Sequence, residues 1–409
     1  MHGKKRAEYK ARLRDPKTAA ALTKKADQWN ILMKELQDRR RHSKEQKKHN
    51  DIDKEDPPVA GVDDDATITD VTATTLALLG KALLVNPDPM NLWNHRRELI
   101  IQEQEQQSSS ATDTETDVAT TGAKILERER ALTMTALQRN PKAYGAWFHR
   151  KWILERLRPS TKILQEELGL TSTFLSADER NFHCWNYRRF IVACLAGSWD
   201  GEWNISVDDT TETSSSPSLM GPQVVDKETS EARNTKPIVI PQELIRSEFE
   251  FTTSKIEQNF SNFSAFHYRS QLLDLCDDND NGNVDIEEIM EKEFQLIENA
   301  VCTEPDDQTC WWYHAILLDK LSGHNNNMPP RLQEQADLFR DILEDSPESK
   351  WVILGLFRVL QILGTYDEDA AADDSSVSSK EERERLLQRL MKIDPYRSQR
   401  YEELRRKME

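Results

Sequence analysis

An all-α fold, a right-handed superhelical array of helical hairpins, is what this sequence predicts. Two recurrences and one weakness in the pattern predict it. After a turn residue, Asn, Asp or Glu and often followed by Pro, an aromatic side chain stands seven positions on, with a basic side chain three beyond that on the same helical face in the better copies. The unit then returns at intervals that suit helix–turn–helix repeats, which bury their apolar faces only by stacking on one another. Strand signals are nearly absent, the clearest being Ile238-Val239-Ile240 between Pro237 and Pro241.

The first element is basic. Residues 1–50 hold sixteen Lys and Arg against six Asp and Glu, and from about Ala7 to Arg41 the positions Leu22, Trp29, Leu32, Met33 and Leu36 fall at helical spacing. A charged helix with one apolar stripe is expected there, docked on its own domain. A polar linker with Pro57-Pro58 and Asp63-Asp64-Asp65 follows over 51–73, and the periodic part fills 74–409 with about seven repeats.

Thr74 to Val85 is an apolar-rich helix ending at Asn86-Pro87, and Trp93 and Arg96 follow in LWNHRRE. The second copy, NPKAYGAWFHRKWILE, places Trp147 and Arg150 after Asn140-Pro141. Asp178 opens the third, with Trp185 and Arg188, and Asn259 the fourth, with Phe266 and Arg269. In the fifth, Glu304-Pro305 precedes Trp311 and His314. Two weaker copies set Asp345 ahead of Trp351 and Asp394-Pro395 ahead of Tyr401. These aromatic and Arg positions read as structural, with the rings in the core and the guanidinium groups paired with carboxylates or loop carbonyls. Longer intervals hold inserts near 102–121, 198–237 and 367–379, polar stretches that bury too little to offset ordering entropy and read as mobile loops.

Composition narrows the function. A formal charge of −17 argues against a nucleic-acid partner, whose phosphates need cations. No run approaches the apolar length of a membrane span, and MHGKKRAEYK lacks the apolar core of a secretory signal, so no membrane insertion and a cytoplasmic location are expected. Five cysteines without a CxxC pair read as reduced, buried apolar residues.

The opening MHG, then LWNHRRE, NPKAYGAWFHRKWIL, ERNFHCWNYRRF and NFSNFSAFHYRS resemble the α subunits of protein prenyltransferases. Within that family they look most like the type II, Rab geranylgeranyl-transferring branch in its compact fungal-type form. The resemblance implies an active enzyme only as a heterodimer with a prenyltransferase β subunit, which holds the zinc and most of the isoprenoid pocket; this chain by itself binds no cofactor. It implies geranylgeranyl diphosphate as donor and, as acceptor, the C-terminal cysteines of a Rab GTPase presented by a Rab escort protein. Two other readings stand beside it: a tetratricopeptide-like scaffold without catalysis, and the α subunit shared by farnesyltransferase and the type I enzyme.

The chemistry displaces diphosphate from an allylic carbon, so a cation fixed beside the leaving group stabilises the transition state. By resemblance Lys142 is that cation and Tyr144 adds a hydroxyl donor, making these two the catalytic candidates. The equivalent positions in the first, third and fourth copies are Asp88, Arg180 and Ser261, so the lysine is particular to one turn. Taken without the resemblance, a lysine after Asn-Pro reads as a solvated turn residue. His183 and Tyr187 are expected at the substrate pocket or subunit interface, and His2 of the MHG opening as a self-blocking zinc ligand. Asp277, Asn279, Asn281 and Glu288, with Gly282, match an EF-hand calcium loop in spacing, against which stands an unpaired acidic insert between repeat helices.

Overall fold

The computed structural model describes residues 15–52, 64–109, 115–197, 240–277, 286–323, 329–367 and 374–408. Among these residues there are helices and turns and no strand. The helices are α1 (Pro16–Ile52), α2 (Asp64–Val85), α3 (Met90–Ser109), α4 (Glu115–Arg139), α5 (Tyr144–Leu157), α6 (Thr161–Ala177) and α7 (Phe182–Leu195). They continue with α8 (Gln242–Gln258), α9 (Phe263–Asp277), α10 (Ile286–Thr303), α11 (Gln308–Gly323), α12 (Pro329–Asp345), α13 (Lys350–Asp367), α14 (Asp374–Ile393) and α15 (Ser398–Arg406). The chain forms two compact units, the first of α1 to α6 and the body of α7, the second of α8 to α15 with the turn Ser176–Phe182.

In the first unit α2 pairs with α3 and α4 with α5, and the hairpins stack through α2 on α4 and α3 on α5. In the second, α8–α9, α10–α11 and α12–α13 pair likewise, with α9 on α11 and α11 on α13. The periodicity of the turns becomes physical here. The side chain of each turn residue accepts the backbone N–H two residues on, from Asn86 to Asp88 (3.3 Å), Asn140 to Lys142 (3.1 Å), Asp178 to Arg180 (3.3 Å) and Asn259 to Ser261 (2.9 Å). Next, the indole of the aromatic position donates back to the proline carbonyl, as Trp93 to Pro87 (2.9 Å), Trp147 to Pro141 (2.8 Å) and Trp311 to Pro305 (2.8 Å). A ring in the core with its one polar atom satisfied at the turn is why the spacing is seven.

A buried glutamate of the following hairpin receives three of these arginines. Arg96 grips Glu129 (2.6 and 2.5 Å), Arg150 grips Glu167 (2.8 and 2.6 Å) and Arg269 grips Glu293 (2.6 Å twice). The guanidinium also reaches the carbonyl twenty residues upstream, at Leu76, Arg130, Leu168 and Phe249 for Arg96, Arg150, Arg188 and Arg269. The residues just before Arg150, Arg188, Arg269 and His314 also return to a glutamate: His149 to Glu129 (3.0 Å), Tyr187 to Glu167 (2.9 Å), Tyr268 to Glu248 (3.0 Å) and Tyr313 to Glu293 (2.6 Å). Burial would raise the Glu129 carboxyl, but bonds from His149 and Arg96 hold it below the usual range. Burial, then the Glu167 and Glu293 charges, push the phenols of Tyr187 and Tyr313 well up, so both remain donors.

Several sequence expectations shift. The described part of the basic helix begins at Pro16, where Asp15 accepts the Thr18 N–H (2.9 Å) and hydroxyl (2.8 Å), and it continues past Arg41 to Ile52. Helix α2 starts at Asp64, inside the stretch read as linker, and helix also occupies 102–109 and 115–121, where a loop insert is predicted. Gln and Glu are good helix formers, and lengthening an existing helix needs no new nucleus. The 367–379 stretch is similarly entered by α14 from Asp374, while 198–237 lies outside the described residues. In the sixth copy the turn residue is Ser346, followed by Pro347, and the seventh position holds Ile353, fully buried, in place of an aromatic. Trp351 instead lies under the cations of Lys350 and Arg397. Cys184, Cys194 and Cys310 are buried, but Cys302 is exposed.

At the arginine position of the fifth copy His314 meets Gln335 (Nε2 to Oε1, 3.2 Å), and its Nδ1 has no partner. Burial holds this imidazole down at about 4, with Arg358 adding to the effect. The folded state therefore binds fewer protons than the unfolded chain between the ordinary value of 6.5 and about 4. Stability is fully present at pH 7 and falls as pH drops through that window, by on the order of 3 kcal/mol at its lower end. Urea unfolding of wild type and His314→Gln at pH 7 and pH 5 measures it; the variant should lose less, and parallel losses would contradict the assignment.

Candidate functional site

The turn between α4 and α5 is built from the repeat rules just described. Asn140 N–H bonds Ala136 O (3.0 Å), Ala143 N–H bonds Asn140 O (3.1 Å), and Trp147 holds Pro141 from below. Ala143 is fully buried, so the turn is anchored on both sides of Lys142. Tyr144, the first residue of α5, is 55 % exposed, and no side chain caps that helix start.

Around this turn the first unit gathers a small polar cluster. The ring of His183 lies 5.6 Å from that of Tyr144, which stacks at 6.0 Å on the exposed Phe148, with the Arg97 guanidinium 4.7 Å above the Phe148 ring. Burial, and then the charge of Lys142, lower the His183 pKa, while Asp88 opposes them. His183 is thus a neutral imidazole near pH 7, able to donate one hydrogen bond. A phenol beside a neutral imidazole, with an ammonium near enough to act on that imidazole, at a helix start without a side-chain cap, forms a constellation suited to an anion with several oxygens.

The structure brings Lys142, Tyr144 and His183 together, and it separates Tyr187 from them. Tyr187 is 3 % exposed and spends its hydroxyl on Glu167, so it is a packing residue and offers no surface to a substrate or partner. Trp93, Trp147, Trp185, Phe266, Arg150, Arg188 and Arg269 are all buried. His2, Asn279 and Asn281 lie outside the described residues, as does the side chain of Asp277; Glu288 is described and pairs with Lys292 (2.6 Å). Among the described residues no group of three or more His, Cys, Asp or Glu is placed to hold a metal ion, and no helix is long and apolar enough to cross a membrane.

Sequence reasoning missed the buried glutamates that receive the arginine and tyrosine donors, although their signal is present. Glu129, Glu167, Glu248 and Glu293 each stand eleven residues before a turn residue. It also missed Asp88, whose carboxylate accepts from the Asn140 amide (3.1 and 3.3 Å) and ties the first turn to the second.

Comparisons with known proteins agree with this geometry. A family model described as "Protein prenyltransferase alpha subunit repeat" matches residues 126–157, 164–195 and 245–276, each spanning one helical hairpin. The "Geranylgeranyl transferase type-2 subunit alpha" of Schizosaccharomyces pombe is 31% identical over 40% of this chain and 51% of its own length. Its namesake in Rattus norvegicus is 34% identical over 62% of this chain and 35% of its own length. That of Candida albicans is 25% identical over 78% and 81%. The chain thus spans about half of the fission-yeast relative and about a third of the rat one.

Proposed function

We propose that this chain, which matches the protein prenyltransferase alpha subunit repeat in three helical hairpins, is the α subunit of a type II protein geranylgeranyltransferase. On this reading it acts in the cytoplasm, paired with a β subunit. The heterodimer transfers geranylgeranyl from geranylgeranyl diphosphate to C-terminal cysteines of Rab GTPases brought by an escort protein. The names of the relatives support the assignment, and the Lys142–Tyr144–His183 cluster is the observation that carries the mechanism.

In the reaction the bond between the allylic carbon and the diphosphate oxygen breaks as a cysteine sulfur bonds to that carbon, and both bonding electrons leave with the diphosphate. The Lys142 ammonium offsets the charge that builds on the departing oxygens. The Tyr144 hydroxyl donates a hydrogen bond to them, and neutral His183 offers its ring N–H without adding a second cation. Binding of the cysteine and of the zinc that activates it belongs to the partner subunit. The rigidity of the turn matters because a donor misplaced by about 1 Å forfeits much of its effect.

Co-expression with a prenyltransferase β subunit, followed by purification and assay with labelled geranylgeranyl diphosphate, tests the proposal. Transfer to an escorted Rab and none to a CaaX peptide is expected. Prenylation of the CaaX peptide would move the chain to the other branch, and failure to form any heterodimer would favour the scaffold reading.

A further inference from the structure

The turn that carries Lys142 rests on the turn of the preceding repeat. Trp93 fixes that first turn through Pro87 (2.9 Å), and Arg139 donates to the carbonyl of Leu84. The start of α5 lies so close that a Cβ added to Gly145 would stand 2.5 Å from the Trp93 ring and 3.3 Å from the carbonyl oxygen of Asp88. Asp88 completes the contact. Both of its carboxylate oxygens accept from the Asn140 side-chain NH₂ (3.1 and 3.3 Å), and the side-chain Oδ1 of Asn140 accepts the backbone N–H of Lys142 (3.1 Å).

The order of donors in this relay is dictated by Asp88. An ionised carboxylate only accepts, so the NH₂ of Asn140 must face it and the amide oxygen must face Lys142. Were position 88 neutral, the amide could turn over and present NH₂ to another N–H, which would break the turn. The same carboxylate is felt at His183, where it opposes Lys142, so Asp88 borders the cluster as well as supporting it.

We propose that Asp88 is a positioning residue for Lys142, holding the Asn140 amide in the one orientation that sets the lysine's backbone toward the leaving group. This inference rests on the prenyl-transfer reading above. Ties between turns also occur in the second unit, where Asn259 donates to Glu179 and Ser261 to Asp307, so stacking alone accounts for some of the contact. What distinguishes Asp88 is that its effect should run through Lys142.

A double-mutant cycle in the reconstituted heterodimer separates the two roles. Asp88→Ala is expected to lower kcat about tenfold, with KM for geranylgeranyl diphosphate within about twofold and the melting temperature unmoved. In a Lys142→Ala background the same substitution should cost nothing further. The isosteric Asp88→Asn, which retains an acceptor without dictating the amide's polarity, should lose about threefold and serves if the alanine variant assembles poorly. Full activity in both Asp88 variants, or an equal loss with and without Lys142, would overturn the proposal. Absence of transfer by the wild-type heterodimer would instead overturn the reading on which it rests.

Discussion

Lys142→Ala in the purified heterodimer is expected to lower kcat by roughly 10²-fold, the cost of removing one preorganised group from a developing anion. Assembly should be unaffected, because the contacts that hold the turn are made by Asn140, Pro141, Ala143 and Trp147. Lys142→Arg keeps the charge but changes its shape and reach, so partial activity is expected. A second readout does not depend on turnover. Burial and the Lys142 charge both depress the His183 pKa, so removing the ammonium should let that imidazole titrate closer to its ordinary range in an NMR pH titration. Unchanged kcat would remove the lysine from the chemistry, and an unmoved His183 titration would remove it from the cluster.

Glu167→Ala is expected to be the most damaging single change to stability. Its carboxylate, 1 % exposed, accepts two bonds from Arg150 (2.8 and 2.6 Å), one from Arg130 (3.1 Å) and one from Tyr187 (2.9 Å). Removing it strands the buried Arg150 charge and leaves the Tyr187 hydroxyl without its acceptor. Breaking one side of a buried pair costs about 3–5 kcal/mol, a large share of the 5–15 kcal/mol that typically holds a protein folded. Replacing both partners together, Arg150→Met with Glu167→Leu, should cost much less, since no charge is left unpaired. Urea midpoints of the single and double variants measure the difference; a double variant as unstable as the single would place the stability in shape and not in charge.

The candidate site was legible in uneven measure. Lys142 and Tyr144 stood out because one turn among seven carries a lysine at that place, and resemblance supplied its chemistry. Asp88 did not stand out, since an aspartate in an Asn-Pro-Asp turn looks solvated until its neighbour turn is seen to lean on it. Tyr187 was misplaced for a related reason. It stands four residues after His183 on one helix, which suggests a shared face, yet it occupies the position before arginine that Tyr268 and His149 also fill. Comparison of that column across the copies would have assigned it to the core.

The sequence by itself determined the all-helical class, the hairpin unit and the register of its better copies, because these follow from local chemistry. Asn-Pro makes the turn, and an indole seven residues on reaches the proline carbonyl within a single hairpin. Only the tertiary structure decided what lies between hairpins. The glutamates that receive Arg96, Arg150 and Arg269 and the burial that sets the register at Ser346 depend on partners tens of residues away. So does the orientation of Asn140, which is set by a carboxylate fifty-two residues earlier in the chain. A local pattern records which groups need partners, and packing alone determines which partners they meet.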